Sequence, residues 1–457
     1  MTASKLVALA AALAASVVFW LPAPGAWPPG SMRVIAVIIL TIGLLSTAAL
    51  DEYLTALIFF LLCVVLAIAP PNIVFSGFFS GAVWMVFGGM IIGQGMVATG
   101  LAERIAGSLE KYFAGSYFRL IAGSVLIMFV LAFLMPSSVG RVTIMLPIVL
   151  ALAARLGFDK NAKGRAGLVL AVALGSLTPT FAILPASVPN LVFAGAVEAI
   201  HGIQLSYGAY LLLHMPVLGL VSVLALPVFI VLLFPDKISV QPKKDRARSF
   251  SPGEARMLIV LTACLGLWAT DALHGISPAW VALGGGIICA LPMSGIIPKG
   301  PLLHKMNLGM VLFMAGVVGL GAVVAHTGVG ELLGQELIGL MPVGSGSGLT
   351  AFASLVGLGA VLELITTLPG QPAIMTPLAD ALSQATGWPV LTVLMTQVPA
   401  WGLLMFPYQA PPLVAARAIS DLPVRLFVRL LVPFALFGWF VMVPLQYGWW
   451  RYLGYIP

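Results

Sequence analysis

Charge is what this chain has least of. Of its 457 residues, 22 are Lys or Arg and 15 are Asp or Glu, 8% together, against 61% hydrophobic residues and a mean hydropathy of +1.10. So few polar side chains cannot cover a soluble globule of this size, which excludes a soluble enzyme or nucleic-acid-binding module. Strict apolar–polar alternation is also missing, which argues against an outer-membrane barrel. Cysteine is scarce: Cys63, Cys264 and Cys289 stand singly in apolar runs, without disulfide or metal spacing, and read as packing residues. No Walker motif exists to drive transport by ATP, and no His-Glu-x-x-His or paired aspartates suggest a membrane enzyme. A channel, or the membrane subunit of an oxyanion pump, would lack nothing present here, but a pump would need a partner ATPase.

What remains is a polytopic all-α membrane protein. A span needs about 20 apolar residues, and such segments lie near 6–21, 33–50, 54–70, 80–100, 209–234, 257–273, 279–297, 307–327 and 424–447. Lys5 followed by LVALAAALAASVVFWL has the look of a signal peptide, but the aromatic, proline-rich PAPGAWPPG after it favours an uncleaved helix. Two further regions, 118–200 and 349–418, are apolar but repeatedly broken by Pro, Gly and Ser.

The broken regions correspond. MLPIVLALAARLG (145–157) aligns without gaps on MTPLADALSQATG (375–387). GGMIIGQGMVATGLAERIA (88–106) parallels AGVVGLGAVVAHTGVGELL (315–333), and LPASVPNLVFAGA (184–196) parallels FPYQAPPLVAARA (406–418). Three matches in the same order imply an internal duplication. Net charge is +7 with a pI near 9.4, but the basic residues fall between apolar segments, so they report topology rather than nucleic acid. Six Lys or Arg in 236–256 and four in 155–165 place both loops in the cytoplasm, with the N-terminus on the same side. The two halves then have opposite orientations, as in transporters that bind substrate between broken helices at mid-membrane.

The expected organisation is an N-terminal helix and periplasmic loop (1–32), then a first repeat (33–235) with a cytoplasm-facing re-entrant hairpin near 118–155. A basic cytoplasmic linker (236–256) follows, and then a second repeat (257–457) with an outward-facing hairpin near 349–385. The total is about 11 spanning helices plus the two hairpins, in an inner membrane. Breaks are expected at Pro136-Ser-Ser-Val-Gly, Thr178-Pro-Thr, Pro185-Ala-Ser-Val-Pro-Asn, Leu368-Pro-Gly-Gln-Pro and Pro407-Tyr-Gln-Ala-Pro-Pro. Irregular backbone at membrane depth must line a cavity or be buried in protein. Helix N-termini exposed there suit an anion, and freed carbonyls and hydroxyls suit a cation such as sodium. His201, His214, His274, His304 and His326 show no metal spacing and read as interfacial side chains near helix ends.

WMVFGGMIIGQGMVATGLAERIA and the paired breaks resemble the divalent anion–sodium symporter family of the ion-transporter superfamily, over essentially the whole chain. The resemblance places that family's Ser-Asn-Thr hairpin tips on Ser137-Ser138-Val139 and on Thr367-Leu368-Pro369. Its Thr-Pro-Pro-Asn breaks fall on Ser187-Val188-Pro189-Asn190 and Gln409-Ala410-Pro411-Pro412. It implies a homodimeric elevator that moves small di- or tricarboxylates or sulfate with sodium, and no other cofactor. Substrate candidates are Ser137, Ser138, Arg141, Ser187, Asn190, Thr367, Gln371 and Gln409; candidates for the coupled ion are Ser137, Ser138, Asn190, Thr366, Thr367 and Glu363.

The departures fall on the same motifs. Both hairpin-tip asparagines and one break asparagine are absent, and Arg141 stands where the family has threonine. Arg141 has three readings: a bidentate fork for the anion, a fixed charge in place of one sodium, or a structural partner of Glu363. Glu363 has a further reading as a proton carrier. Coupling by sodium, by protons or by anion exchange all stay open. So do a sulfate-like oxyanion permease and a cation–proton antiporter, though the latter would favour aspartates at the breaks.

Overall fold

The computed structural model describes residues 3–25, 27–47, 49–113, 115–135, 137–238, 249–339 and 348–456. Pro136 and residues 239–248 of the basic linker lie outside the described residues. Every regular element among those described is helical. Nine stretches are long and apolar enough to cross a membrane, and six further apolar helices are shorter. The chain is a multi-pass membrane protein.

Each apolar segment expected from sequence is occupied by helix, with local chemistry setting the ends. Pro252–Ala269 begins inside the basic stretch because Ser251 and Glu254 form a reciprocal capping box there. Two long stretches, Tyr207–Leu233 and Val424–Tyr452, stay helical through π-turns at Met215–Val221 and Gly438–Met442. The first contains Pro216, whose missing N–H a widened turn accommodates.

Small residues decide which helices meet closely. Gly81–Thr99 crosses Pro278–Ala290 with backbones nearly touching: a Cβ on Gly88 would stand 2.5 Å from the Ala282 carbonyl oxygen, and one on Gly286 would stand 2.9 Å from that of Gly88. In mirror fashion, Leu308–His326 packs on Glu52–Val65, where a Cβ on Gly316 would meet Ala56 at 2.5 Å. Each long helix thus packs on a helix from the other half of the chain, through glycine in both cases.

Carboxylates sit at the N-termini of helices away from the breaks. Glu198 accepts from Gly81 N (2.8 Å) and Ser80 Oγ (3.1 Å). Asp236 accepts from Gly164 N (2.7 Å), and Asp271 from Tyr207 N (2.6 Å) and Ser206 Oγ (3.2 Å). Glu254 accepts from Ser251 N and from both Nε and Nη2 of Arg104, at 2.7, 2.8 and 2.9 Å. These contacts offset the positive ends of the helices and tie separate segments together.

Candidate functional site

Tyr117–Leu134 and Ser138–Arg155 are consecutive helices of the first hairpin, and Lys163–Gly175 packs against both. From Ala166 to Gly175 the latter is buried throughout. Its α-helix then ends, and the chain runs through 3-10 turns at Thr178–Ala182 and Leu184–Ala186 before Val188–His201 starts. Prolines 179, 185 and 189 explain the interruption, since each removes a backbone donor. The second half follows the same plan. Gly348–Ile365 turns into Gly370–Met375, and the later helix breaks between Trp401–Leu403 and Pro407–Gln409 before Pro411–Ser420 begins.

In both halves the hairpin turn docks on the break. In the first, Ser137 caps its helix by accepting from Gly140 N at 3.1 Å, and Ser138 Oγ approaches Ala186 O at 3.5 Å. Arg141 is fully buried and supplies most of this junction. Its Nη1 donates to Met135 O and to Ala186 O (2.9 Å); its Nη2 donates to Ser176 O (2.8 Å), Ser138 Oγ (3.3 Å) and Thr180 Oγ1 (3.3 Å). Asn190 holds the break's own backbone: Nδ2 donates to Phe181 O (2.9 Å), Ile183 O (3.0 Å) and Tyr210 Oη (3.2 Å), while Oδ1 accepts from Ser187 Oγ (2.6 Å).

In the second half, Leu368 N donates to Gln409 O at 2.8 Å across the junction. Gln409 Oε1 accepts from Met405 N (2.9 Å) and Phe406 N (2.8 Å). Gln371 is buried, with Oε1 accepting from Trp401 Nε1 at 3.0 Å and Nε2 against Met375 Sδ at 3.1 Å. The hydroxyl of Thr366 is spent on Leu362 O (2.8 Å), and the Thr367 carbonyl accepts from Gly370 N (2.8 Å). The halves interlock at this depth. Pro411–Ser420 packs on Ser138–Arg155, Val188–His201 packs on Gly370–Met375, and the Trp401 ring lies edge-on to Phe181 and Phe193, 5.8 and 5.9 Å away.

Apart from Glu363, the candidate residues therefore fall at the junctions, but two expectations about charge need correction. Neither carboxylate oxygen of Glu363 has a hydrogen-bond partner, so the pair with Arg141 is not formed. Nor is Arg141 arranged as an open bidentate fork. Both Nη atoms are taken by the protein, leaving only Nε without a partner.

His214 is a third correction. It is not interfacial but fully buried, 4.5 Å from the Tyr210 ring and 5.7 Å from that of Trp450. Trp401, Tyr210, Ser176 and Thr180 are contributors that sequence reasoning did not place at the site. The Thr178-Pro-Thr break was the available signal for Thr180; the others look like ordinary apolar-segment residues.

The family model described as the sodium:sulfate symporter transmembrane region matches residues 3–456. The chain belongs to this family. This bears out the resemblance to divalent anion–sodium symporters drawn from the hairpin and break motifs. Among its relatives is a membrane protein of Cupriavidus necator, 24% identical over 83% of this chain and 77% of that one. Inner membrane protein YbhI of Escherichia coli is 24% identical over 69% of this chain and 71% of its own length. Dicarboxylate transporter 1 of the spinach chloroplast is 24% identical over 63% of this chain and 52% of its own. The solved structure of the Alcanivorax borkumensis YdaH transporter superposes with a TM-score of 0.55 at 15% identity, covering 99% of this chain and 98% of that one. Neisseria gonorrhoeae MtrF, whose structure illustrates a class of antimetabolite efflux pumps, gives 0.52 at 13% identity over 98% and 94%. At such identities these two likenesses speak for the fold of this sodium:sulfate symporter family member.

Proposed function

We propose that this member of the family is a secondary active transporter of small organic anions of the di- or tricarboxylate type. The observation that carries the reading is the pair of hairpin–break junctions, interlocked between the halves and lined by polar groups inside a membrane protein. Helices start there at Ser138, Val188 and Pro411 without a carboxylate cap, in contrast to the capped helices elsewhere. Helix N-termini without an acidic cap favour an anion. A spinach relative named as a dicarboxylate transporter supports the substrate class, and the name of YbhI supports an inner-membrane location, with the N-terminus in the cytoplasm as the basic loops imply.

The reciprocal packing of long helices between the halves supports an inverted repeat. The family resemblance implies an elevator in which the hairpin–break unit moves against a scaffold, as a homodimer. A co-transported cation or a counter-anion drives the cycle. No covalent chemistry is assigned to the protein. The test is uptake of labelled succinate and of labelled sulfate into proteoliposomes under imposed sodium, proton and counter-anion gradients. Succinate accumulation exceeding that of sulfate is expected. If neither anion moves under any gradient, the transport reading fails.

A further inference from the structure

At the first junction the guanidinium of Arg141 is held as a metal ion would be. Its partners come from three separate stretches of backbone: the hairpin turn (Met135 and Ser138), the end of the buried helix (Ser176 and Thr180) and the 3-10 segment before the next helix (Ala186). All are neutral oxygen acceptors, three carbonyls and two hydroxyls, and no carboxylate is among them. Neutral oxygens released from broken helices are the donor set that hard cations take in membrane proteins. Arginine is cationic at any physiological pH, and the side chain is fully buried. In the register that aligns Met145 with Met375, the equivalent position in the second half is Gln371, a neutral residue that binds Trp401 and touches no such cage.

We infer that Arg141 is a resident, tethered cation filling a cation-binding cage at the first hairpin–break junction. The cage is closed by the protein's own charge and takes no ion from solution. Its consequence for coupling rests on the transport reading: the first half contributes no sodium dependence, and any coupled cation must enter elsewhere. The existence of the cage does not depend on transport. Removing the guanidinium leaves the oxygens in place, so a small cation should then bind where the native protein binds none.

The test is thermal melting of detergent-purified protein in choline, sodium and methylguanidinium chloride at equal ionic strength, without substrate. Native protein, Arg141→Ala, Arg141→Gln and Arg141→Lys are compared. Ligands that bind only the folded state raise its melting point in a concentration-dependent way. Arg141→Ala and Arg141→Gln should melt lower than native in choline and gain a saturable upward shift in sodium or methylguanidinium that the native protein lacks. Arg141→Lys, which keeps a tethered charge, should gain none. Equal salt responses in the native and neutral variants would overturn the proposal.

If the neutral variants do not survive extraction in choline, extraction in the other two salts must recover more folded protein. Equal loss in all three salts overturns it too. Proteoliposome transport of the native protein is measured separately. A gained cation response with no anion movement would sink the transport reading alone, and anion movement with no gained response would sink the cage alone.

Discussion

The two hairpin–break junctions share a plan but are sealed by different chemistry. In the first half a buried cation gathers five oxygen acceptors from three stretches of chain. In the second half neutral contacts do the same work: a backbone bond from Leu368 to Gln409, a tryptophan donating to Gln371, and a glutamine side chain holding two amides. The second half also buries Glu363, whose carboxylate oxygens have no partner. Two junctions of the same plan thus carry an uneven distribution of charge. A buried charge is costly unless it is paired or hydrogen-bonded. The two Nη atoms of Arg141 meet that condition, and the carboxyl of Glu363 does not.

That contrast can be broken most directly at Arg141. Arg141→Ala takes a donor from several buried carbonyls, and each buried acceptor left unsatisfied costs about 1–3 kcal/mol. In choline this should lower the melting temperature further than any single substitution at Asn190, Gln409 or Trp401. At the same junction, Asn190→Ala strips three donor contacts from the break and should cost about 1–3 kcal/mol, read as a lower melting temperature and slower anion uptake. Its counterpart Gln409→Ala uncaps Met405 N and Phe406 N and should fall in the same range. A much larger effect at one break than at the other would contradict their shared structural role.

Trp401→Phe removes one donor while keeping an aromatic ring near Phe181 and Phe193, so a loss of about 1 kcal/mol is expected. Glu363→Gln has the opposite sign. Replacing an unpartnered buried carboxyl by a neutral amide should leave stability unchanged or raise it, and should abolish any response of transport to an imposed proton gradient. A strongly destabilised Glu363→Gln protein would show that the carboxyl has a structural partner after all.

Some of this was legible in the chain itself. The spans follow from hydropathy, and the breaks follow from clustered Pro, Gly and Ser within apolar runs. The family resemblance put Ser137 and Thr367 at hairpin tips and Ser187 and Gln409 at breaks, and the structure has all four beside the starts of helices. The role of Arg141 was not legible. Several readings fitted the sequence, because three of its five partners are backbone carbonyls, and every residue has one. Met135, Ser176 and Ala186 carry no signal that their oxygens are free, since that depends on where each helix stops and which loop lies opposite. His214 was misplaced for a similar reason: one of the two rings that bury it, Trp450, comes from the far end of the chain.

Sequence alone determined that this chain lives in a membrane, that it is helical, and that its two halves share broken segments. Lipid cannot solvate free backbone, so apolar runs of this length have few alternatives. Only the tertiary structure decided which freed groups meet. It brought a hairpin turn, the end of one helix and the loop before another to a single guanidinium, and left the carboxyl of Glu363 without one. Contacts between segments far apart in the chain are set by how the helices pack, and at Gly88, Gly286 and Gly316 that packing turns on the absence of a single Cβ.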